Sequence, residues 1–353
     1  MNRRLLVFAA TTFTTTLLML TAAALGGDST WKAGAAKAMI TPEKLMWMAG
    51  YGSRTRPADG KLTELWAKAL VLEDQDGNRG LVLTLDLVGI DRTLSQAVCN
   101  SLKEKYGLQR EQIAICTSHT HSGPVVGHNL APLHYRLIDA SQQQLVDEWV
   151  AGFQKQVVAV VGEAISNLAP SWVSWGSGTT TLAVNRRENP AATVPQWRTE
   201  GKLKGPSDYD VPVLAVRDAN EKLTAVLFGY ACHATTLSGY QWSGDYPGYA
   251  QIDLEKAHPG CVALFFAGCG ADQNPLPQYG GNGGALWRAI GNGRGYRLDD
   301  VANAPRRRRA ADNLRRDRSA ARHPADARAN RVECKVRESL RSIASDDATG
   351  ADR

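Results

Sequence analysis

Two histidines separated by a single residue follow a short apolar run of the chain. The run is residues 112–116, and the histidines are His119 and His121. Side chains at positions i and i+2 of an extended chain point to the same side, so both imidazoles can approach one ion. Alternatively, one imidazole binds the ion while the other works beside it. A pair of surface histidines that binds no metal is the remaining interpretation.

A third histidine, His233, ends a second apolar run at residues 223–232. Functional groups of α/β proteins collect where strands end and loops begin, so this histidine is expected near the other two. Neutral imidazole nitrogen is a good ligand for Zn²⁺, which in catalytic sites keeps one position for water. Because bound zinc lowers the pKa of that water to about 7, the three histidines predict a zinc-dependent hydrolase.

The histidine segment and five others carry a resemblance to a known family. Residues 117–124, Thr-Ser-His-Thr-His-Ser-Gly-Pro, resemble the signature loop of the neutral/alkaline, non-lysosomal ceramidases. The similarity covers residues 33–278 and identifies the chain as a divergent, bacterial-type member that matches the N-terminal part of the catalytic domain. The other segments that resemble motifs of the family, in the same order, are residues 48–52, 184–186, 230–236, 243–249 and 265–275.

The resemblance implies a reaction and a role for each matching residue. The family cleaves the amide bond of N-acylsphingosines with a zinc-activated water. By position, His119 and His233 are the implied zinc ligands, whereas His121 is an acid/base or oxyanion-stabilising group beside the metal. Arg186 is implied to orient the substrate or to stabilise charge. Amide hydrolysis independently needs an activated water, stabilisation of the tetrahedral oxyanion and a proton for the leaving amine.

Two residues of the loop after the last apolar run extend the candidate catalytic site. Asp272 is expected either to shape this glycine-rich loop or to face the metal. Asn274 stands where the family has a serine; it cannot serve as a nucleophile or proton relay, but it can hydrogen-bond a polar group of the substrate. This departure favours an alternative function, in which the chain hydrolyses an amide or ester of another substrate class.

The resemblance ends before the metal site is complete. The family supplies a glutamate and a tyrosine as further zinc ligands from chain beyond this loop, and residues 279–353 hold no matching motif. Residues 281–353 hold 16 arginines and little apolar periodicity, so residues 279–353 are expected to be a disordered tail. We interpret the tail as an aberrant or truncated C-terminus. A basic tail for anionic partners and a catalytically inactive truncated relative are the alternatives.

Residues 1–26 are predicted to be a secretory signal peptide, because a short basic start precedes an apolar run and small residues suited to cleavage. A transmembrane anchor is the alternative. The protein is therefore expected to be secreted or periplasmic. The expected partners are an N-acyl lipid or another small amide, with peripheral contact to a membrane surface. No nucleic-acid partner is expected.

Alternating strand and helix patterns predict an α/β domain at residues 29–278, with a mixed sheet flanked by helices. Asp91 is expected to cap a helix. A long helix with an apolar stripe from Leu145 to Ile165 is expected to end at Pro170, and Asp245 is expected to cap a shorter helix. Two β-hairpins are predicted, one from residues 68–73 and 81–88 and one from residues 211–217 and 223–232.

Other polar side chains have weaker expectations. Asp86 is expected either to orient a ligand histidine or to close a strand end. His128 and His134 are expected to be exposed. The thiols of three cysteines beside apolar runs are expected to be buried; they are Cys116, Cys232 and Cys261.

Overall fold

The computed structural model describes residues 31–275. The predicted signal peptide at residues 1–26 and the predicted tail at residues 279–353 lie outside the described residues. The predicted domain boundaries, 29 and 278, also lie outside them, so these assignments stay predictions.

Eight of the twelve strands in residues 31–275 form one sheet with the order β11-β9-β8-β6-β1-β3-β4-β5, and the other four form two short pairs, β2 with β10 and β7 with β12. The strands are β1 Trp31–Met39, β2 Gly60–Lys61, β3 Trp66–Glu73, β4 Arg79–Leu85, β5 Ile113–Thr117, β6 Ala169–Thr179, β7 Val184–Asn185, β8 Asp210–Arg217, β9 Leu223–Tyr230, β10 Gln241–Trp242, β11 Val262–Ala267 and β12 Gln273–Asn274. The helices are α1 Arg92–Tyr106, α2 Ala140–Ser166, α3 Val194–Thr199 and α4 Asp245–Ala257.

The sheet is mixed, as predicted. Both expected hairpins form, β3 with β4 and β8 with β9. In the first, Gly77 turns the chain at a φ of +83°, a conformation that glycine adopts without a Cβ penalty. The pairs β4 with β5 and β9 with β11 are parallel, and the other neighbours in the large sheet are antiparallel.

The two halves of the large sheet pack against each other through side chains of alternating positions. Leu70 and Val82 from one half share an apolar cluster with Leu214, Leu227 and Leu264 from the other. The opposite faces of the strands are covered by helices: α2 packs on β1 and β3, and α4 packs on β9 and β11. This arrangement confirms the predicted sheet core flanked by helices.

The start of α1 follows a local signal, whereas the end of α2 follows a tertiary contact. Asp91 accepts a hydrogen bond from the Leu94 N–H at 2.9 Å and caps α1, as predicted. The prediction that Pro170 ends α2 is wrong, because the helix ends at Ser166 and Pro170 lies inside β6. Asn167, the cap residue, donates its side-chain amide to the Ala35 carbonyl, so contact with the sheet fixes the end.

Among residues 31–275, no helix combines the length and the apolar character that crossing a bilayer requires.

Candidate metal centre

The carboxyl ends of β5, β9 and β11 place the predicted site residues together. The chain leaving β5 pairs with the chain leaving β9 through a parallel bridge between Thr120 and Ala234. The His121 N–H donates to the Ala234 carbonyl at 3.2 Å. Because His119 and His121 flank Thr120 and His233 precedes Ala234, this bridge brings the three histidines to one point.

The three imidazoles form one cluster that could hold a metal ion. Their ring centroids lie 4.9 Å apart for His119 and His121, 4.9 Å for His119 and His233, and 5.6 Å for His121 and His233. One ligand nitrogen from each ring lies within 4.8 Å of the others. The Nε2 atoms of His119 and His121 are 3.3 Å apart, which suits either two ligands of one tetrahedral ion or a hydrogen bond. The predicted proximity of the three residues is therefore confirmed.

Backbone carbonyls orient two of the three rings. The His119 Nδ1 lies 2.8 Å from the Val88 carbonyl, and the His233 Nδ1 lies 2.8 Å from the Gly270 carbonyl. Histidines that bind metals almost always donate the other ring N–H in this way, which fixes the tautomer and leaves Nε2 as the ligand atom. These two residues therefore fit a metal ion on the chemistry of their donors.

His119 also adopts a strained backbone conformation, with a φ of +58°. Such a conformation is uncommon for a residue with a Cβ and persists only where the surrounding structure holds it. Here the ring hydrogen bond to Val88 and the neighbouring Thr120–Ala234 bridge fix the residue from both sides. The strain is thus confined to the point where the side chain enters the cluster.

His121 differs from the other two histidines. Its Nδ1 is buried and has no hydrogen-bond partner within residues 31–275. Burial first, and then the neighbouring His119 and His233, lower the pKa of His121 to about 3. The ring is therefore neutral at pH 7, with one nitrogen facing the other histidines and one unused polar atom. Because no backbone carbonyl orients this ring, His121 fits the role of an oriented metal ligand less well than His119 and His233 do.

A wall of three residues, Gly50, Tyr51 and Arg54, contacts His121, and no catalytic or metal-binding role was expected for any of them. Gly50 approaches so closely that a Cβ placed on it would lie 2.5 Å from the His121 Cβ. The Tyr51 ring lies 4.9 Å from the His121 ring, and its hydroxyl donates to the Leu237 carbonyl. The motif at residues 48–52 marked this segment, but its spacing to His121 is visible only in the fold.

Arg54 completes that wall. Its guanidinium is buried and donates to the His121 carbonyl at 2.8 Å and to the Gly239 carbonyl at 2.7 Å. It also lies 5.2 Å from the ring centroids of both Tyr51 and Tyr240. A buried charge held by two carbonyls and two aromatic faces fixes the backbone of His121 rather than its ring.

The remaining predicted site residues lie on the paired strands β7 and β12. The Arg186 N–H donates to the Asp272 carbonyl at 2.7 Å, and Gln273 pairs with Asn185. The positive charge of Arg186 lowers the pKa of His121 and that of His233, so the guanidinium lies near the cluster. The structure thus places Arg186 beside the histidines as the sequence indicated.

Two buried polar atoms beside the cluster have no partner in the described chain. They are the Nε of Arg186 and the Oδ1 of Asn274. Buried polar atoms are nearly always hydrogen-bonded, so an unpaired donor and an unpaired acceptor here suit a bound polar molecule. Asp272 behaves differently, because its carboxylate accepts a hydrogen bond from the Asn185 side chain at 3.2 Å. Of its two expected roles, the structure favours shaping the loop.

The weaker expectations for three polar residues meet mixed outcomes. Asp86 is buried and accepts from the Trp66 N–H and from Gln251, so it closes the strand end, and backbone carbonyls orient the rings of His119 and His233 instead. The prediction that His134 is exposed is wrong, because it is buried and its Nε2 accepts from the Gly50 N–H at 3.2 Å. His128 is exposed, as expected.

Asp245 is not the cap of α4 that the sequence suggested. The cap position belongs to Gly244, and Asp245 is the first helical residue, with a φ of +54°. Its buried carboxylate accepts from Thr236 and Leu237 instead. The proline pattern located the helix start correctly within one residue, but the carboxylate turns into the protein.

The prediction of buried cysteines is confirmed for two of the three residues that it named. Cys232 and Cys261 are buried and Cys116 is half-buried. Burial raises the pKa of the Cys116 thiol to about 11 and that of Cys261 to about 12, and it also raises that of Cys232. These thiols are protonated at neutral pH and pack as small apolar groups.

The fold and the site define a mixed α/β protein with a half-buried cluster of three histidines suited to a metal ion. A family model described as neutral/alkaline non-lysosomal ceramidase, N-terminal, matches residues 31–266, and the chain belongs to this family. The expectation drawn from the motifs is therefore confirmed.

Individual relatives agree with the family assignment. The neutral ceramidase of Pseudomonas aeruginosa is 29% identical over 251 residues, which is 69% of this chain and 36% of that protein. The neutral ceramidase of Drosophila melanogaster is 28% identical over 237 residues, 65% of this chain and 33% of that protein. This chain thus spans about a third of the length of the curated relatives it matches.

Solved structures show the same fold. The crystal structure of neutral ceramidase from Pseudomonas aeruginosa has a TM-score of 0.64 and 25% identity, and covers 78% of this chain and 45% of that chain. A structure described as ceramidase complexed with C2 has a TM-score of 0.64 at 24% identity, covering 78% of this chain and 44% of that chain.

Proposed function

We propose that this chain is a zinc-dependent amidohydrolase that cleaves the amide bond of an N-acyl lipid. The observation that carries the proposal is the cluster of His119, His121 and His233, in which two rings have backbone-oriented Nδ1 atoms. The substrate class is supported by relatives that are neutral ceramidases.

The donor chemistry favours His119 and His233 as the residues that would hold zinc. When bound, zinc supplies a water whose pKa is lowered to about 7, and thereby a nucleophile at neutral pH. Two histidines supply two of the four positions of a tetrahedral site. His121 is the third nitrogen within residues 31–275, and the resemblance implies that further ligands come from chain beyond residue 275.

The other residues of the site suit the remaining steps of amide hydrolysis. His121 suits a role in proton transfer to the leaving amine by its position, because its Nε2 lies 3.3 Å from the His119 Nε2 and its buried Nδ1 has no protein partner within residues 31–275. Arg186 offers a buried Nε–H with no protein partner, which suits the developing negative charge on the amide oxygen. Asn274 offers a buried acceptor for a hydroxyl or N–H of the substrate.

A metal-content measurement paired with turnover tests the assignment. The purified chain is expected to hold about one zinc per protein and to release the fluorophore of an N-acyl lipid substrate. His119→Ala is expected to lose both zinc and turnover, whereas His121→Ala keeps zinc and loses turnover. His128→Ala, which changes an exposed histidine, is the matched control and is expected to keep both. No bound metal after zinc supplementation would overturn the proposal.

A hydrolase of another substrate class is the second candidate, and Asn274 is the observation that favours it. Its buried amide can select a polar group that differs from the one in N-acylsphingosines. A panel of N-acyl lipids, other amides and esters separates the two, since a clear preference for ceramide excludes this candidate. Zinc binding without turnover on any member of the panel would instead favour an inactive relative.

We also propose that the protein works outside the cytoplasm and contacts a membrane surface beside the site. Residues 1–26 support export. Three exposed leucines follow the histidine loop at a spacing of three and four residues, and they are Leu130, Leu133 and Leu137. Cell fractionation tests the first statement. Vesicle sedimentation tests the second, with reduced binding expected for Leu133→Ser and Leu137→Ser; unchanged binding would contradict it.

A further inference from the structure

Residues 243–246 lie between the two histidine-bearing segments and contact both. They include the end of a loop and the first two residues of α4. Ser243, Asp245 and Tyr246 are all fully buried, although two of them are strongly polar. The motif at residues 243–249 contributed to the family resemblance but received no role in the proposed chemistry. The contacts of these residues indicate a role for the motif.

Ser243 holds the segment that carries His119 and His121. The Thr120 hydroxyl donates to the Ser243 carbonyl at 2.7 Å. The Ser243 N–H donates to the Ser122 carbonyl at 3.0 Å. Thr120 lies between the two histidines and Ser122 follows the second, so the two hydrogen bonds hold the segment on both sides of His121.

Asp245 and Tyr246 hold the segment that carries His233. The Tyr246 hydroxyl donates to the carbonyl of Cys232, the residue before the histidine, at 2.8 Å. On the other side, the Asp245 carboxylate accepts from the Thr236 N–H, the Thr236 hydroxyl and the Leu237 N–H at 3.1, 2.6 and 2.9 Å. His233 is therefore held from before and from behind by two consecutive residues.

The backbone of this short segment is shaped to reach both neighbours. Asp245 has a φ of +54°, which costs free energy for a residue with a Cβ and is uncommon at the start of a helix. Gly244 has no room for a side chain, because a Cβ there would lie 2.7 Å from the Gly248 Cα. A strained residue that is fully buried and fully hydrogen-bonded is typical of a position that the surrounding fold holds for a purpose.

We propose that residues 243–246 are a positioning element that sets the separation between His119 and His233, with Tyr246 and Asp245 as its positioning residues. This inference rests on the proposed function only in treating the histidine cluster as a metal centre. The element forms hydrogen bonds to the chain on both sides of His121, on both sides of His233 and directly after His119. Its loss is therefore expected to loosen the metal site before it unfolds the protein.

Tyr246→Phe tests the proposal with one atom removed, and Tyr106→Phe is its matched control. The Tyr106 hydroxyl also donates to a backbone carbonyl, that of Val158, but between α1 and α2 and away from the histidines. Both variants lose one hydrogen bond, so similar small decreases in Tm are expected. Zinc binding, measured by competition with a chelator, is expected to weaken about 5- to 10-fold in Tyr246→Phe and less than about 2-fold in the control.

A readout without metal keeps the test independent of zinc. In the metal-free chain, nitrogen NMR of the His233 ring is expected to report one tautomer, with the proton on Nδ1 facing the Gly270 carbonyl. Tyr246→Phe is expected to shift or broaden that signal, and Tyr106→Phe to leave it unchanged. In Asp245→Asn, asparagine tolerates the positive φ. Its amide nitrogen is a donor where the carboxylate oxygen accepts from the Leu237 N–H, so a larger change in the His233 signal is expected than for Tyr246→Phe.

The two proposals fail in different ways. If the unmodified chain binds no zinc, the metal centre of the proposed function is refuted and the NMR signal alone decides the positioning element. If the chain binds zinc but Tyr246→Phe matches Tyr106→Phe in zinc affinity and in the His233 signal, the positioning element is refuted while the metal centre stands.

Discussion

Replacing Gly50 with alanine is expected to disable the site while leaving the fold in place. Gly50 has a φ of +96° and lies against His121, and its N–H is held by the His134 ring. An added Cβ would meet the His121 Cβ at 2.5 Å and its Cα and Cγ at 2.6 Å. Carbon atoms pack at about 3.5–4.0 Å, so one of the two segments must move by roughly 1 Å.

The size of the effect follows from that displacement. A catalytic group misplaced by about 1 Å can lose on the order of 100-fold in rate. The left-handed backbone adds a separate cost of about 1–2 kcal/mol to the folded state, because alanine has a Cβ and glycine has none. Gly50→Ala is therefore expected to lower kcat about 100-fold and to lower Tm by several degrees.

Gly77→Ala separates the two effects. Gly77 has a similar φ of +83° in the β3–β4 turn, and a Cβ there would meet nothing within 4 Å. It is expected to lose only the part of the stability that comes from the left-handed backbone and to keep full turnover. Hydrolysis of a fluorogenic N-acyl lipid, thermal unfolding and the His121 ring signal in nitrogen NMR are the measurements. Turnover and a His121 signal in Gly50→Ala that match those of Gly77→Ala would refute the reasoning.

Four further outcomes are expected. Lys68→Met removes the buried one of the two lysines that pair with the Glu255 carboxylate, and Lys37 remains as the other partner, so the free energy of unfolding in urea is expected to fall by about 1.5–3 kcal/mol; Lys68→Met combined with Glu255→Leu should recover part of the loss. Because burial raises the pKa of Cys116 to about 11, this thiol is expected to resist a disulfide reagent at pH 8 until the protein unfolds; fast labelling of the native chain at Cys116 would contradict this. Asn274→Ala removes an unpaired acceptor and is expected to change stability by less than about 0.5 kcal/mol while raising KM; an unchanged KM argues against contact with substrate. In the metal-free chain, the pKa of His121 is about 3 when folded and near its ordinary 6.5 when unfolded, so the unfolded state takes up a proton between these values. The free energy of unfolding should therefore fall with falling pH across this window, by up to ~1.4 kcal/mol per pH unit, and His121→Gln should have a shallower slope in acid titrations followed by denaturation.

Local patterns predicted the elements whose formation depends on neighbouring residues. The two hairpins, the Asp91 cap and the strand before His119 follow from alternation, turn residues and a short polar side chain. The end of α2 was wrong by four residues, because contact of Asn167 with Ala35 decides it rather than Pro170. Sequence distance conceals such contacts.

The candidate site shows the same difference between what local sequence patterns predict and what tertiary contacts decide. His119, His121, His233 and Arg186 stood out by residue type and by motif, and the fold brings them together. Gly50, which lies against His121, had no distinguishing signal except the motif at residues 48–52. The role of Gly50 becomes visible only through His121, which a side chain at position 50 would displace. His121 is 71 residues away in the chain, so no local pattern links the two.

The sequence by itself determined the family, the strand and helix content and the three histidines that give the protein its chemistry, because these depend on residue types and short spacings. The tertiary structure alone decided which atoms orient those histidines. The carbonyls of Val88 and Gly270 fix two of the rings, and the buried Asp245 and Tyr246 hold the chain around His233. Backbone carbonyls belong to every residue, so no pattern of side chains can reveal which of them face a histidine.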